Sequence, residues 1–207
     1  MSRLTLIVAA TATNGIGQNA GLPWRLPKEM AYFARVTTNA PDGTQNAVIM
    51  GRNTWESIPK KYRPLPKRVN VVVSRNQSYQ LYADAPPEHD ALLRHDLLSA
   101  LARLDSVAVH RRFVIGGATL YAESLALPPS APAFVDRVLL TRILSPAFEA
   151  CDAFMPNFLA DAESRWERAS HDELRAWVGF DAPSGVQEEK GVHYEFQMWV
   201  RGVARDL

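Results

Sequence analysis

At 207 residues, with 47% hydrophobic and 22% charged side chains, the chain suits one domain of ordinary size with a real core. A formal net charge of +1 removes the electrostatic footprint of a nucleic-acid or anionic-membrane binder, though not a local basic patch for a small phosphorylated ligand. The lone cysteine, Cys151, has no partner for a disulfide or a thiolate metal site, which fits a reducing compartment, and no apolar run approaches the roughly 18 residues of a membrane span.

The first element is Leu4–Ala10, an apolar run that reads as a buried strand. Arg3 before it and the Ala-Thr-Ala stretch after it faintly resemble a signal peptide, but a single arginine is a thin positive region, so a strand is expected. In the segment that follows, Gly15, Gly17 and Ala20 match a loose dinucleotide fingerprint. The chain then runs Gly21-Leu-Pro-Trp-Arg-Leu-Pro, and two prolines and a glycine argue against the helix that such a motif must open. The loop reads instead as a flexible flap beside a site, with a plain surface turn as the alternative.

A helix is expected over Pro27–Thr37, since proline is tolerated in a first helical turn. Glu29 shares a face with Phe33 at i+4 and Val36 at i+7. A carboxylate held among apolar groups has a raised pKa and can pass protons near neutral pH. The alternative is an acid placed only to suit the helix dipole. Next come a strand, Ala47–Met50, and a helix, Arg52–Ser57, where Arg52 adds charge and Thr54 a hydroxyl to a helix N-terminus of the kind that binds phosphate.

Arg68 opens the strand Val69–Ser74, where its guanidinium can clamp a carboxylate or simply face solvent. Ser74-Arg75 ends that strand with another hydroxyl and charge. Asp96 is placed to cap a helix over Leu97–Leu104. The strand Arg112–Gly116 runs into Gly116-Gly117-Ala118-Thr119, whose adjacent glycines let the backbone approach a ligand, and a helix follows over Ala118–Leu125. Three such turns at the carboxyl edge of one sheet point to a phosphorylated ligand.

After the strand Arg137–Ile143, the last third changes character. Trp166–Ser170 and Val192–Val200 read as an antiparallel hairpin at a sheet edge, because polar and apolar residues alternate from His193 to Val200. Alternating strands and helices make the fold α/β, and no repeat or linker divides residues 1–207. The histidines, His89, His95, His110, His171 and His193, have no metal-ligand spacing, so no metal is expected. No nucleophile signature is present.

These residues resemble the dihydrofolate reductase family over essentially the whole chain. The most specific pieces are Asn14-Gly-Ile-Gly, Leu22-Pro-Trp, Pro27-Lys-Glu-Met, Met50-Gly-Arg, Thr54-Trp, Ser57-Ile-Pro, Val71-Val-Val-Ser-Arg, Ile115-Gly-Gly, Tyr121 and Leu140-Thr-Arg, in family order and spacing. The length, the stretch from Leu22 to Met30 and the late Gly185-Val-Gln-Glu-Glu-Lys-Gly look like the fungal branch. Asn53 stands where a basic residue is common, and Asp84–Asp90 and Pro128–Pro132 match no family motif.

The resemblance implies a single dihydrofolate-reductase-like domain: about eight strands, mostly parallel, with an antiparallel C-terminal edge hairpin and about four helices. It implies NADPH-dependent reduction of 7,8-dihydrofolate to 5,6,7,8-tetrahydrofolate, which supports one-carbon metabolism and thymidylate synthesis. Methotrexate-like antifolates would inhibit a monomeric, cytoplasmic enzyme that binds neither nucleic acid nor membrane. Glu29 would hold the pterin and promote protonation at N5, Thr141 would bond Glu29, and Trp24 would help place a water.

By the same resemblance, Ile7, Val8, Ile115 and Tyr121 would line the pterin and nicotinamide pocket. Met30 and Phe33 would pack on the substrate rings opposite Ile58 and Leu65, and Arg68 would take the glutamate α-carboxylate. Ala9 and the flap residues Gly15, Ile16, Gly17, Gln18, Asn19 and Gly21 would cover the nicotinamide. Arg52, Asn53, Thr54, Ser74, Arg75, Gly116, Gly117, Ala118, Thr119, Leu120 and Tyr121 would bind the dinucleotide. Arg52 and Arg75, with Arg94 as a further candidate, would face the 2′-phosphate, and the Gly116–Gly117 bond would be cis. Two other readings stand beside this one: a related reductase of a phosphorylated pyrimidine in riboflavin synthesis, and a nucleotide-binding module without catalysis.

Overall fold

The computed structural model describes residues 2–82, 91–160 and 166–202, so the Asp84–Asp90 stretch lies outside the described residues. The first strand, β1 (Ser2–Thr11), shows why its sequence is a continuous apolar run. Leu4, Leu6, Val8 and Ala10 pack into one core cluster and Ile7 into another. Both faces of the sheet are covered, so neither face needs polar residues.

β1 lies between two parallel neighbours, β6 (Val109–Val114) and β7 (Ala133–Ser145). Beyond β6 come β3 (Gln45–Gly51), β4 (Arg68–Val73) and β5 (Ala91–Arg94), all parallel. On the other side β11 (Val192–Arg201) runs antiparallel to β7. The outer edge of β11 is shared: β10 (Val186–Glu189) pairs with its first residues and β9 (Trp166–Arg168) with its last. Nine described strands therefore occupy eight lateral positions, and the mostly parallel sheet with an antiparallel C-terminal edge is as expected.

The hairpin itself needs correction. Its tight turn joins β10 to β11 through Lys190 and Gly191, at φ 52° and 75°, the left-handed pair that a two-residue hairpin turn requires. The expected partner, Trp166–Ser170, does supply β9, which pairs antiparallel with the end of β11, but a helix, α5 (His171–Val178), and β10 lie between the two strands in the chain. That helix raises the expected count from four to five. Its start is a reciprocal capping box between Ser170 and Glu173, and Gly179 at φ 76° ends it. Only Leu174 and Val178 are buried, so its apolar stripe is too thin to stand out.

The other helices fall where expected: α1 (Pro27–Thr38), α2 (Arg52–Ser57), α3 (Leu97–Asp105) and α4 (Ala118–Leu125). Asp96 caps α3 by accepting from Ser99 N at 2.7 Å. Tyr32 and Val36 of α1 and the buried residues of α5 cover one sheet face. Leu101 and Leu104 of α3 and Leu120 of α4 cover the other. This layering leaves the carboxyl ends of β1, β4 and β6 bordered by loops and that of β3 by the start of α2, at the sheet edge where α/β folds bind ligands.

Candidate active site

Glu29 sits in the first turn of α1 and is buried. Its Oε1 accepts a hydrogen bond from Thr141 Oγ1 at 3.0 Å. Thr141 is held in β7 opposite Ala9 of β1 and Phe196 of β11, so the contact rests on the centre of the sheet. Burial pushes the Glu29 carboxyl from its ordinary 4.5 up to about 7, the Thr141 hydrogen bond holds it back, and the charge of Glu189 adds to the rise. A carboxyl with that affinity carries a proton for part of the time at neutral pH. Trp24 is buried close by in sequence, edge-on to Phe148 at 5.2 Å, and its indole N–H has no acceptor among the described residues.

One apolar cluster gathers Ile7, Ala9, Trp24, Phe33, Ile58, Leu65 and Ile115. Met30, one residue beyond Glu29, is 47% exposed on α1. Tyr121 donates from its hydroxyl to Ile7 O at 2.8 Å, which ties α4 to β1, and its burial drives the phenol pKa far up. Val8 and Leu120 differ from their neighbours. Their side chains pack in the cluster on the other face of the sheet, leaving their backbone as the part that can meet a ligand.

Arg68 is not a solvated strand-end arginine. It is buried, donates from Nη1 to Thr37 Oγ1 at 2.7 Å and from Nε to Pro66 O at 3.0 Å, and burial lowers its pKa to about 10. Among the described residues this guanidinium has hydroxyl and carbonyl partners and no carboxylate partner, so its charge is uncompensated by the groups it bonds there. A ligand carboxylate is the chemistry that would match it.

The residues expected to bind phosphate lie at neighbouring strand ends. Gly51 N donates to Gly116 O at 2.7 Å, bringing the end of β3 against the loop after β6. The Gly116–Gly117 peptide bond is cis, and Gly116 has φ +130°. A Cβ on Gly116 would sit 3.0 Å from Thr54 Oγ1, so a larger residue would fill the cradle formed with Thr54. Gly117 caps α4 with no side chain, which leaves the first-turn N–H groups of that helix for an anion. Ser74 is buried at the end of β4, while Arg75, Asn53 and Thr119 are exposed, and Arg52 lies 4.0 Å from Glu56. Arg94 spends one N–H on Leu93 O at 2.5 Å. These donors suit a dinucleotide bearing several phosphates.

The loop from Gly15 to Gly21 is tied rather than loose. β2 (Gly15–Gly17) pairs antiparallel with β8 (Ala153–Phe154), and Gln18 bridges to Gly21. Asn19 N donates to Asp152 Oδ2 at 2.8 Å, and Asp152 N to Gly17 O at 3.0 Å. Ile16 packs towards the core cluster that contains Val8. A Cβ on Gly15 would lie 2.6 Å from Cys151 Sγ, so glycine is required by close approach. Sequence reasoning did not anticipate the 151–155 clasp, whose residues share no periodicity with the loop.

Glu189 was also missed. Both its carboxylate oxygens accept from Lys28 N, at 3.1 and 3.0 Å, at the start of α1. A sequence signal existed: Leu26 cannot cap a helix and Pro27 has no N–H, so an acceptor for Lys28 N–H had to come from elsewhere. By contrast, a cavity of about 350 Å3 at the opposite end of the strands holds none of the expected residues. Its arginines are engaged: Arg3 and Arg137 approach Asp136, Arg112 pairs with Asp105, and Arg111 stacks on Trp177.

Fold and site together define an α/β protein with a buried, protonable carboxyl and, at the carboxyl edge of its sheet, turns of the kind that accept phosphate. The sequence profile of the dihydrofolate reductase family matches residues 3–180. The dihydrofolate reductase of Cryptococcus neoformans var. neoformans is 48% identical, covering 95% of this chain and 94% of its own length. That of Pneumocystis carinii is 42% identical over 96% of both chains. The solved structure of the Schistosoma mansoni dihydrofolate reductase matches with a TM-score of 0.75 at 32% identity, covering 97% of this chain and 99% of the other. The chain belongs to the dihydrofolate reductase family.

Proposed function

We infer that this chain catalyses the NADPH-dependent reduction of 7,8-dihydrofolate to 5,6,7,8-tetrahydrofolate. The observation that carries the reading is Glu29: buried, bonded to Thr141, and protonable near neutral pH in a cleft bordered by phosphate-type turns. NADPH, when bound, supplies the hydride that reaches the pterin C6. Glu29 holds the pterin amino and ring N–H groups and promotes the proton's arrival at N5. Trp24 orients a water on that route, a role supported by its buried indole N–H, which has no acceptor among the described residues. Ile7, Ile115, Phe33, Ile58 and Leu65 exclude bulk water and align the rings, with Met30 at the mouth.

Arg68 pairs with the glutamate α-carboxylate of the substrate. Ser74, Arg75, Thr54, Gly116, Gly117 and the first turn of α4 hold the dinucleotide, with Arg52 and Arg75 as donors to the 2′-phosphate. Ala9 and the tied Gly15–Gly21 loop cover the nicotinamide side. We take residues 1–207 as one domain, acting as a monomer and bound by antifolates such as methotrexate. No helix among the described residues is long and apolar enough to cross a membrane. A cytoplasmic location is the reading that the lone cysteine supports.

The test is nicotinamide absorbance with purified protein, dihydrofolate and either NADPH or NADH, with and without methotrexate. Methotrexate-sensitive oxidation, faster with NADPH, is expected. NADPH binding without oxidation would refute the activity and leave the fold intact.

A further inference from the structure

α1 begins where the chain cannot cap itself. Leu26 has no side-chain acceptor and Pro27 no N–H, so Lys28 N–H is the first donor of the helix that needs a partner. It finds both oxygens of Glu189, a residue 161 positions away. Glu189 is buried at the end of β10, immediately before the tight turn into β11. Tyr194 donates to its Oε2 at 3.4 Å. A hairpin turn and a tyrosine therefore fix one carboxylate against the residue that precedes Glu29.

We propose that Glu189 is a positioning residue for the reduction: it anchors the start of α1 and sets a second negative charge against Glu29. The proposal rests on Glu29 being the proton-holding group. Among the described residues, Glu29 bonds Thr141 from β7 and interacts electrostatically with Glu189 from β10, Tyr194 from β11, Tyr121 from α4 and Tyr32 from its own helix. None of these is a cation. Burial does most to raise the Glu29 pKa, the Thr141 bond lowers it, and Glu189 raises it again. Glu189 thus acts twice, through backbone geometry and through charge, and the two parts separate by substitution.

Glu189→Gln keeps an oxygen that can accept from Lys28 N–H and removes the charge. Glu189→Ala removes both. The readout is the pH profile of kcat/KM, set beside the titration of the Glu29 carboxyl followed by carbon NMR in labelled protein. In Glu189→Gln, both the alkaline limb of the profile and the Glu29 titration should move to lower pH together, by a few tenths of a unit or more. In Glu189→Ala the same acid shift should appear, with kcat lowered further by roughly threefold to tenfold at every pH, because α1 loses its anchor.

A Glu189→Gln protein whose Glu29 titrates as in the parent would overturn the proposal. So would a Glu189→Ala protein whose kcat equals that of Glu189→Gln. If the parent's rate profile ignores its own Glu29 titration, the failure lies with Glu29, and the Glu189 role falls with it.

Discussion

Replacing Glu29 with glutamine should alter the pH dependence of stability as well as the rate. A carboxyl whose folded pKa lies above its unfolded value binds its proton more tightly when folded. The stability it contributes is fully present below about pH 4.5 and is lost as pH rises through about 7. At about 1.4 kcal/mol per pH unit, that displacement costs the parent about 3 kcal/mol across the interval. Glu29→Gln has no proton to lose, so this part of the slope should vanish. The assay is urea unfolding of both proteins from pH 4.5 to 8.5. The variant should gain on the parent by about 3 kcal/mol between the two ends, even as its rate at neutral pH falls about 10²–10⁴-fold. Titrating groups that do not interact with Glu29 are common to both proteins and drop out of the difference. Two parallel stability curves would refute the claim that Glu29 holds its proton near neutrality.

Arg68→Leu should raise KM for dihydrofolate far more than for a pterin substrate lacking the glutamate tail, and steady-state kinetics that show equal effects would remove the carboxylate clamp. Joint replacement of Arg52 and Arg75 by alanine should cut the preference for NADPH over NADH at least about tenfold, as measured by kcat/KM for the two nucleotides. Gly15→Ala forces a methyl group to within 2.6 Å of Cys151 Sγ, so it should destabilise the protein by roughly 1–3 kcal/mol in urea unfolding, with partial recovery when Cys151 is replaced by glycine.

The central strands were legible where they carry short apolar runs: Leu4–Ala10, buried on both faces, reads as nothing else. Glu29 was legible from its place on an apolar helical face, and Gly116-Gly117 from two adjacent glycines at a strand end. What escaped detection is held by contacts distant in sequence. Glu189 reads as one acid in a polar stretch, and only folding brings it onto Lys28. The clasp between residues 15–17 and 153–154 is equally non-local, and neither partner carries a strand-like pattern of its own. The residues around Arg68 left open whether it clamps a carboxylate or faces solvent, because its burial involves a contact with Thr37, 31 positions away. β5 and α5 are short and only partly buried, so their patterns are weak.

The most direct test of the account follows the hydride itself. The enzyme would be given NADPH carrying deuterium at both hydrogens of nicotinamide C4, with dihydrofolate in ordinary water, and the product analysed by mass spectrometry. The account predicts tetrahydrofolate carrying one deuterium, at C6, with loss of that product when methotrexate is present. Tetrahydrofolate without deuterium, or cofactor that binds and is never oxidised, would contradict it.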